Sequence, residues 1–228
     1  MTDAPAPPKT DSARRRLLAG VEVALLVIIA FFVGRLTISH VPKPGPVDIG
    51  FSQDMAVHHE QAVLMANLAE QRGGVAVAAL ANAILVNQSQ EIGLMRGWLQ
   101  LWHRPADDPS PMSWMRMTVP DTSMPGMSMP PITVSSLPAG STAMPGMASP
   151  AQLTELDGLS GKAFDVLFLQ LMIRHHEGGI EMAQYARAHA SLATVRNAAQ
   201  AMAYQQIEDI GEMRSMLTAE GGKELPAP

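Results

Sequence analysis

Asp48-Ile49-Gly50-Phe51-Ser52-Gln53-Asp54-Met55-Ala56-Val57-His58-His59-Glu60 returns 117 residues later as Asp165-Val166-Leu167-Phe168-Leu169-Gln170-Leu171-Met172-Ile173-Arg174-His175-His176-Glu177. The match runs on from Met65-Ala66 and Ala69 to Met182-Ala183 and Ala186. A second pair of segments follows at an offset of 118: Gln88-x-x-Glu91-Ile92-Gly93-x-Met95-Arg96 and Gln206-x-x-Asp209-Ile210-Gly211-x-Met213-Arg214. The change of one residue falls in the connecting turn, where insertions are tolerated. Within the first copy Phe51, Met55, His58, Ala62, Met65 and Ala69 recur at i, i+4, i+7, i+11, i+14 and i+18, one stripe of a 3.6-residue helix. Gly73-Gly74 ends that helix.

The second helix is expected from about Val75 to Trp102, with Ile84, Gln88, Glu91, Met95, Leu99 and Trp102 on its stripe and Pro105 beyond it. The third covers about Lys162–His189. The fourth starts after Ser191 as N-cap and ends at Gly221-Gly222. Two long helical hairpins predict an all-α fold, an antiparallel four-helix bundle over residues 48–220. Ser149-Pro150-x-Gln152 predicts a short extra helix, with a cap, Pro at the first position and a capping-box Gln.

The chain has 228 residues, 16 Lys and Arg against 21 Asp and Glu, and a net charge of −5. That balance excludes nucleic acid as a partner, because phosphate contacts need a basic surface. Cysteine is absent, which removes disulfide scaffolds, thiolate zinc sites, iron–sulfur clusters and cysteine nucleophiles together. The sequence carries no phosphate loop, dinucleotide fingerprint or Ser–His–Asp order. Aromatic residues are only 4%, whereas there are 17 Met, and their placement is the main chemical clue.

Residues 1–16 read as a disordered cytoplasmic tail ending in Arg14, Arg15 and Arg16. Residues 17–38 are nearly all apolar. At about 1.5 Å per residue they extend about 33 Å, enough for a hydrocarbon core of about 30 Å. Glu22 and Arg35 sit toward the ends, where a charge costs less than at the centre. The preceding arginines place the N-terminus in the cytoplasm and export the rest, to the periplasm or the cell exterior. The stretch Gly34-Arg35-Leu36-Thr37-Ile38-Ser39-His40 holds no small-x-small cleavage site. An uncleaved single-pass anchor in the cell membrane is therefore expected in preference to a cleaved or twin-arginine signal. Residues 39–47, with three Pro and one Gly, make a short stiff spacer.

Between the hairpins, residues 104–149 hold nine of the 18 Pro and eight of the 17 Met: Met112, Met115, Met117, Met124, Met127, Met129, Met144 and Met147. Met-Pro-Gly-Met occurs at 124–127 and again at 144–147. Such a stretch is no helix and is expected to be a loop whose methionines have no core to fill. Spaced thioethers hold Cu(I) or Ag(I) in an oxidising exterior, where a thiol would be lost. Met124, Met127, Met129, Met144 and Met147 are the auxiliary candidates. Plain compositional bias is the alternative.

In the helices, His58 and His59 both lie within about 60° of the centre of the stripe. Both can face inward, with Met55 before them and Met65 after. Met172, His175, His176 and Met182 repeat the arrangement, and Glu91, Asp209, Gln88 and Gln206 lie on the inner stripes of the partner helices. Imidazole suits Cu, Zn and Fe, and thioether favours Cu(I). Mg²⁺ and Ca²⁺ would need more carboxylates. Di-iron bundles need Glu-x-x-His, and Met55 and Met172 occupy that Glu position. The structural alternative is core-filling Met and His paired with Glu91 or Asp209. The duplication weighs against it. The expected ligand set is His58, His59, Met55, Met65, His175, His176, Met172, Met182, Glu91 and Asp209, converging at the bundle centre. Gln53, Asp54, His103 and His189 read as ordinary, and Arg96 and Arg214 as serving a helix dipole or an ion pair.

Met55, His58, His59, Ala62, Met65 and Ala66, with Gln88, Glu91, Ile92, Met95, Trp98 and Leu99, resemble the bacterial family catalogued as domain of unknown function 305. The second copy matches through Met172, His175, His176, Gly179, Met182, Ala183, Gln206, Asp209, Ile210 and Met213. The resemblance covers about residues 48–217, and the Met-Pro-Gly-Met linker is similar too. Gly179 replaces Ala, Asp209 replaces Glu, and Met216 stands where Trp98 does. The resemblance implies a ferritin-like helical bundle, exported or membrane-anchored, and some members bind copper in the periplasm.

The expected function is a membrane-anchored, exported metal-binding protein, with copper as its ion, for sequestration or transfer. Its partners are the membrane, through residues 17–38, and the metal; no protein partner is legible. Another transition metal stays open. So do a redox enzyme with a metal in the bundle core and a metal-free helical interaction module.

Overall fold

The computed structural model describes residues 10–37, 42–116 and 144–228, with side chains at 14–35, 42–115 and 144–228. Met117, Met124, Met127 and Met129 lie outside the described residues, as do residues 1–9 of the expected tail. Among the described residues there are six α-helices, one short 3-10 turn at Ser113–Arg116 and no strand.

Residues 1–41 and 42–228 form two separate units. The first contains α1 (Thr10–Thr37), which begins inside the tail expected to be disordered. Its 22 residues Arg14–Arg35 are long and apolar enough to cross a membrane. Leu17, Leu25, Leu26, Ile29, Phe31 and Phe32 are all exposed, so the apolar surface runs around the whole helix rather than along one face.

The second unit is built from two hairpins. α2 (Pro46–Arg72) and α3 (Val75–Leu101) meet across Gly73-Gly74. A short α4 (Pro150–Gly158) precedes α5 (Gly161–His189), which turns into α6 (Ala193–Ala219). α2 packs on α3, α5 on α6, and α2 against α5. The α2–α5 contact is antiparallel. The start of α2 bonds the residues that follow α5, and the start of α5 bonds the residue that follows α2. Ala62, Ala66, Ala69, Ala183 and Ala186, all fully buried, let helices approach closely. The α4 cap forms as the sequence predicts, with Ser149 Oγ accepting from the Gln152 N–H and the Gln152 side chain accepting from the Ser149 N–H.

The cap of α6 differs from expectation. Ser191 does not cap α6; the N-cap is Leu192, whose side chain supplies no hydrogen bond. The acceptor is Asp48, fully buried, which takes the Leu192 N–H at 2.9 Å and the Ser191 N–H at 3.2 Å. Asp165, its counterpart in the second copy, takes the N–H of Gly74, the N-cap of α3, at 2.9 Å. Each copy's first residue thus satisfies the orphan donors at the second helix of the other hairpin.

Both ends of the 104–149 stretch pack on the helices rather than standing free of the core. Asp54 Oδ2 accepts the Met112 N–H at 2.6 Å and the Trp114 Nε1–H at 2.8 Å. Gln53 donates to the carbonyls of Pro105 and Asp107. Met112 and Trp114 are buried, with Trp114 edge-on to Phe51 and Tyr185. Met112 therefore fills core. At the far end Pro145, Gly146 and Ala148 are buried.

Candidate metal centre

The antiparallel crossing of α2 and α5 sets the two His–His pairs against each other. Met55, His58, His59, Met65, Met172, His175, His176 and Met182 are all 0% exposed. The rings of His58 and His175 stack with centroids 3.8 Å apart and planes tilted by 34°. His59 and His176 diverge from their neighbours, at centroid distances of 6.3 and 6.2 Å.

The methionines do not converge on this point. Met65 and Met172 lie in one apolar cluster, and Met55 and Met182 in the other. The reason is direction: in an antiparallel pair, a residue before the histidines on α2 faces one after them on α5. Thioether-bearing layers thus flank the imidazole layer on both sides.

Each outer imidazole has a carboxylate behind it. His59 Nε2 is 2.8 Å from Glu91 Oε2, and His176 Nε2 is 3.3 Å from Asp209 Oδ2. Gln205 donates to the other Asp209 oxygen at 2.9 Å. Glu91 and Asp209 keep 22% and 12% of their side-chain surface exposed. A groove of about 440 Å³ between α3 and α6, lined by Asn87, Gln90, Glu91, Leu94, Ala201 and Gln205, reaches this side of the site. Gln88 and Gln206 are buried as the stripes predict. Arg96 and Arg214 pair with Glu60 and Glu177 at 2.7 and 2.9 Å, matching bridges within the two hairpins that contribute little to stability at the surface.

The inner imidazoles are covered by residues 144–148, which form a strap across α2 and α5. His58 Nε2–H donates to the Pro145 carbonyl at 3.0 Å. Gln61 holds the strap through both amide atoms, donating to the Ala148 carbonyl at 3.0 Å and accepting its N–H at 2.7 Å. Gly146 has φ +76°, and its backbone lies on the main chain of Arg174 and His175. The Pro145 carbonyl rests on Gly178, where a Cβ would stand 2.2 Å from its oxygen. Met144 and Met147, on either side of Pro145-Gly146, are half-buried. The legible signal was Gly178-Gly179 inside α5, since a glycine within a helix costs about 1 kcal/mol and needs a packing reason.

Nδ1 of all four histidines finds no hydrogen-bond partner among the described residues, nor does Nε2 of His175, nor Nε2 of His59, whose approach to Glu91 lacks hydrogen-bond geometry. Buried imidazoles normally find one. Burial, and then the neighbouring His59, push the His58 pKa down to about 3, against the opposing Pro145 carbonyl. His175 is held well below its ordinary value by burial and by His58, His176 and His59, with the main chain of His58 acting the other way. Both are neutral at pH 7, the state in which imidazole offers a lone pair to a metal. No group of three His, Cys, Asp or Glu among the described residues is arranged to hold a metal ion. The donor set is instead paired imidazoles between thioethers, which fits a soft ion of low coordination number and not a hard one.

The family model described as "Domain of unknown function (DUF305)" matches residues 48–217. Nothing among curated proteins matches the chain. Among solved structures, a presumed secreted DUF305 protein from Streptomyces coelicolor is 34% identical, with a TM-score of 0.66, covering 79% of this chain and 97% of that one. A DUF305 fragment from Deinococcus radiodurans is 26% identical, with a TM-score of 0.60, covering 78% and 99%. CopM in its Cu(I)-bound form is 22% identical, with a TM-score of 0.55, covering 77% and 98%. CopM also matches in Cu(II)-bound, Ag-bound and apo forms.

Proposed function

The chain belongs to the DUF305 family, and from that premise we propose that it is a membrane-anchored, exported protein that binds copper, foremost as Cu(I), for sequestration or transfer. We read its two hairpins as an antiparallel four-helix bundle of the ferritin-like kind. The observation that carries the reading is the set of buried Nδ1 atoms on His58, His59, His175 and His176, which have no hydrogen-bond partner among the described residues. A carboxylate or carbonyl on one ring nitrogen with the other left free is the arrangement that orients an imidazole for a metal. His176 and His58 have it, through Asp209 and Pro145, and Glu91 stands 2.8 Å from His59 Nε2 as an ion-pair neighbour. The thioethers of Met65 and Met172 on one side of the imidazole layer, and of Met55 and Met182 on the other, add soft donors in the flanking layers. CopM, bound to copper and to silver, supports the choice of ion through its likeness of fold. The groove beside Glu91 offers an approach for the cation, and Met144 and Met147 offer thioethers at the other face.

Metal analysis tests this on the full chain, extracted in detergent from cells grown with copper and compared with zinc- and iron-grown cells. Copper near one or more equivalents, retained through gel filtration, is expected. Copper below a tenth of an equivalent, or preferential retention of zinc or iron, would refute it.

A further inference from the structure

The strap breaks the two-fold pattern of the repeat. His59 and His176 have corresponding carboxylates at Nε2, from α3 and α6. The inner pair has no such symmetry: His58 Nε2 meets the Pro145 carbonyl, whereas neither nitrogen of His175 makes a hydrogen bond of ordinary geometry among the described residues, the His58 main chain being its polar neighbour. Among the described residues there is one such strap, and Gln61 and Gly178 fix where it lies. Gln61 clamps Ala148 twice, and Gly178 supplies the bare backbone on which Pro145 sits. The counterpart of Gly178 in the first copy is Gln61 itself, 117 positions earlier. The same register position therefore holds the clamp on α2 and the floor on α5.

We propose that residues 144–148 are a positioning element that fixes His58 as the Nε2–H tautomer, aims its Nδ1 lone pair inward, and so makes the two copies of the motif unequal metal ligands. A carbonyl accepts only, so the bond to Pro145 dictates which nitrogen carries the proton. Among the described residues no strap carbonyl or carboxylate imposes that choice on His175, whose ring stacks on His58 and lies near the His58 main chain. The chain then has one preset inner ligand and one that selects its nitrogen on loading, and the first soft monovalent ion binds through His58 Nδ1. The inference rests on the metal reading above, but its tautomer component stands in the metal-free protein.

The test uses the full chain in detergent, labelled with ¹⁵N-histidine, with Ag(I) as the probe. Gly178→Ala places a methyl against a main-chain oxygen, so the strap must shift. Gln61→Leu frees its other end without touching a histidine and serves if Gly178→Ala misfolds. Gly93→Ala, a helical glycine with no heavy atom within 4 Å of the added carbon, is the control. In the parent and in Gly93→Ala, His58 should show a single Nε2–H tautomer. In the strap variants it should become a mixture, and the first Ag(I) should bind at least tenfold more weakly, the usual cost of losing an orienting partner. If the parent binds Ag(I) but the strap variants keep the single tautomer or the parent affinity, the positioning role is wrong and the metal reading stands. If the parent binds no Ag(I), both fall.

Discussion

His58 and His175 are neutral imidazoles in an interior that water does not reach, and this alone makes the fold sensitive to acid. In the unfolded chain each titrates near 6.5; in the folded protein His58 titrates at about 3 and His175 well below 6.5. Between those values the unfolded state binds more protons, so stability is complete above pH 6.5 and falls as the pH drops toward 3. Each histidine contributes up to about 1.4 kcal/mol per pH unit in that window. Urea unfolding of the metal-free protein between pH 7.5 and 4.5 should show this loss. His58→Gln/His175→Gln should flatten the curve, and an unchanged slope would contradict the assignment.

At the scale of the elements, the hairpins are locked by Asp48 and Asp165, each capping a helix of the opposite hairpin. Asp48→Ala and Asp165→Ala should each cost about 1–2 kcal/mol in urea unfolding, in the range of lost helix caps. Asp48 should cost more, because it accepts three N–H groups. Equal loss from a surface control such as Glu155→Ala would remove the capping argument. Removing residues 112–147 should lower the unfolding temperature, since Trp114 is 1% exposed and truncating such a side chain alone costs about 3–5 kcal/mol. Scanning calorimetry with unchanged unfolding would contradict the packing of both ends.

The helices themselves were legible because a 3.6-residue stripe and its repeat are local patterns. The caps of α3 and α6 were not, because their acceptors lie 91 to 144 residues away. The strap was not, because Met-Pro-Gly-Met has no period and its partners, His58, Gln61 and Gly178, belong to other elements. The inward histidines were legible from phase. The separation of Met65 and Met172 from Met55 and Met182 required knowing that α2 and α5 run antiparallel.

For the whole molecule, a helix able to span a membrane precedes a compact helical unit with soft donors at its centre. The anchored orientation predicts that a C-terminal reporter fusion is active outside the cytoplasm, because Arg14–Arg16 is the basic cluster ahead of the span. Activity in the cytoplasm would reverse the topology. The central claim, that buried His and Met hold a soft metal, is tested most directly by Ag(I)-dependent thermal unfolding of the parent and of His58→Ala/His175→Ala. Binding to the folded state alone stabilises it by about 2.7 kcal/mol at a hundredfold excess over Kd. The account predicts a clear rise in unfolding temperature with Ag(I) for the parent and most of that rise lost in the double variant. Equal unfolding temperatures with and without Ag(I) in the parent, or an undiminished rise in the double variant, would contradict it.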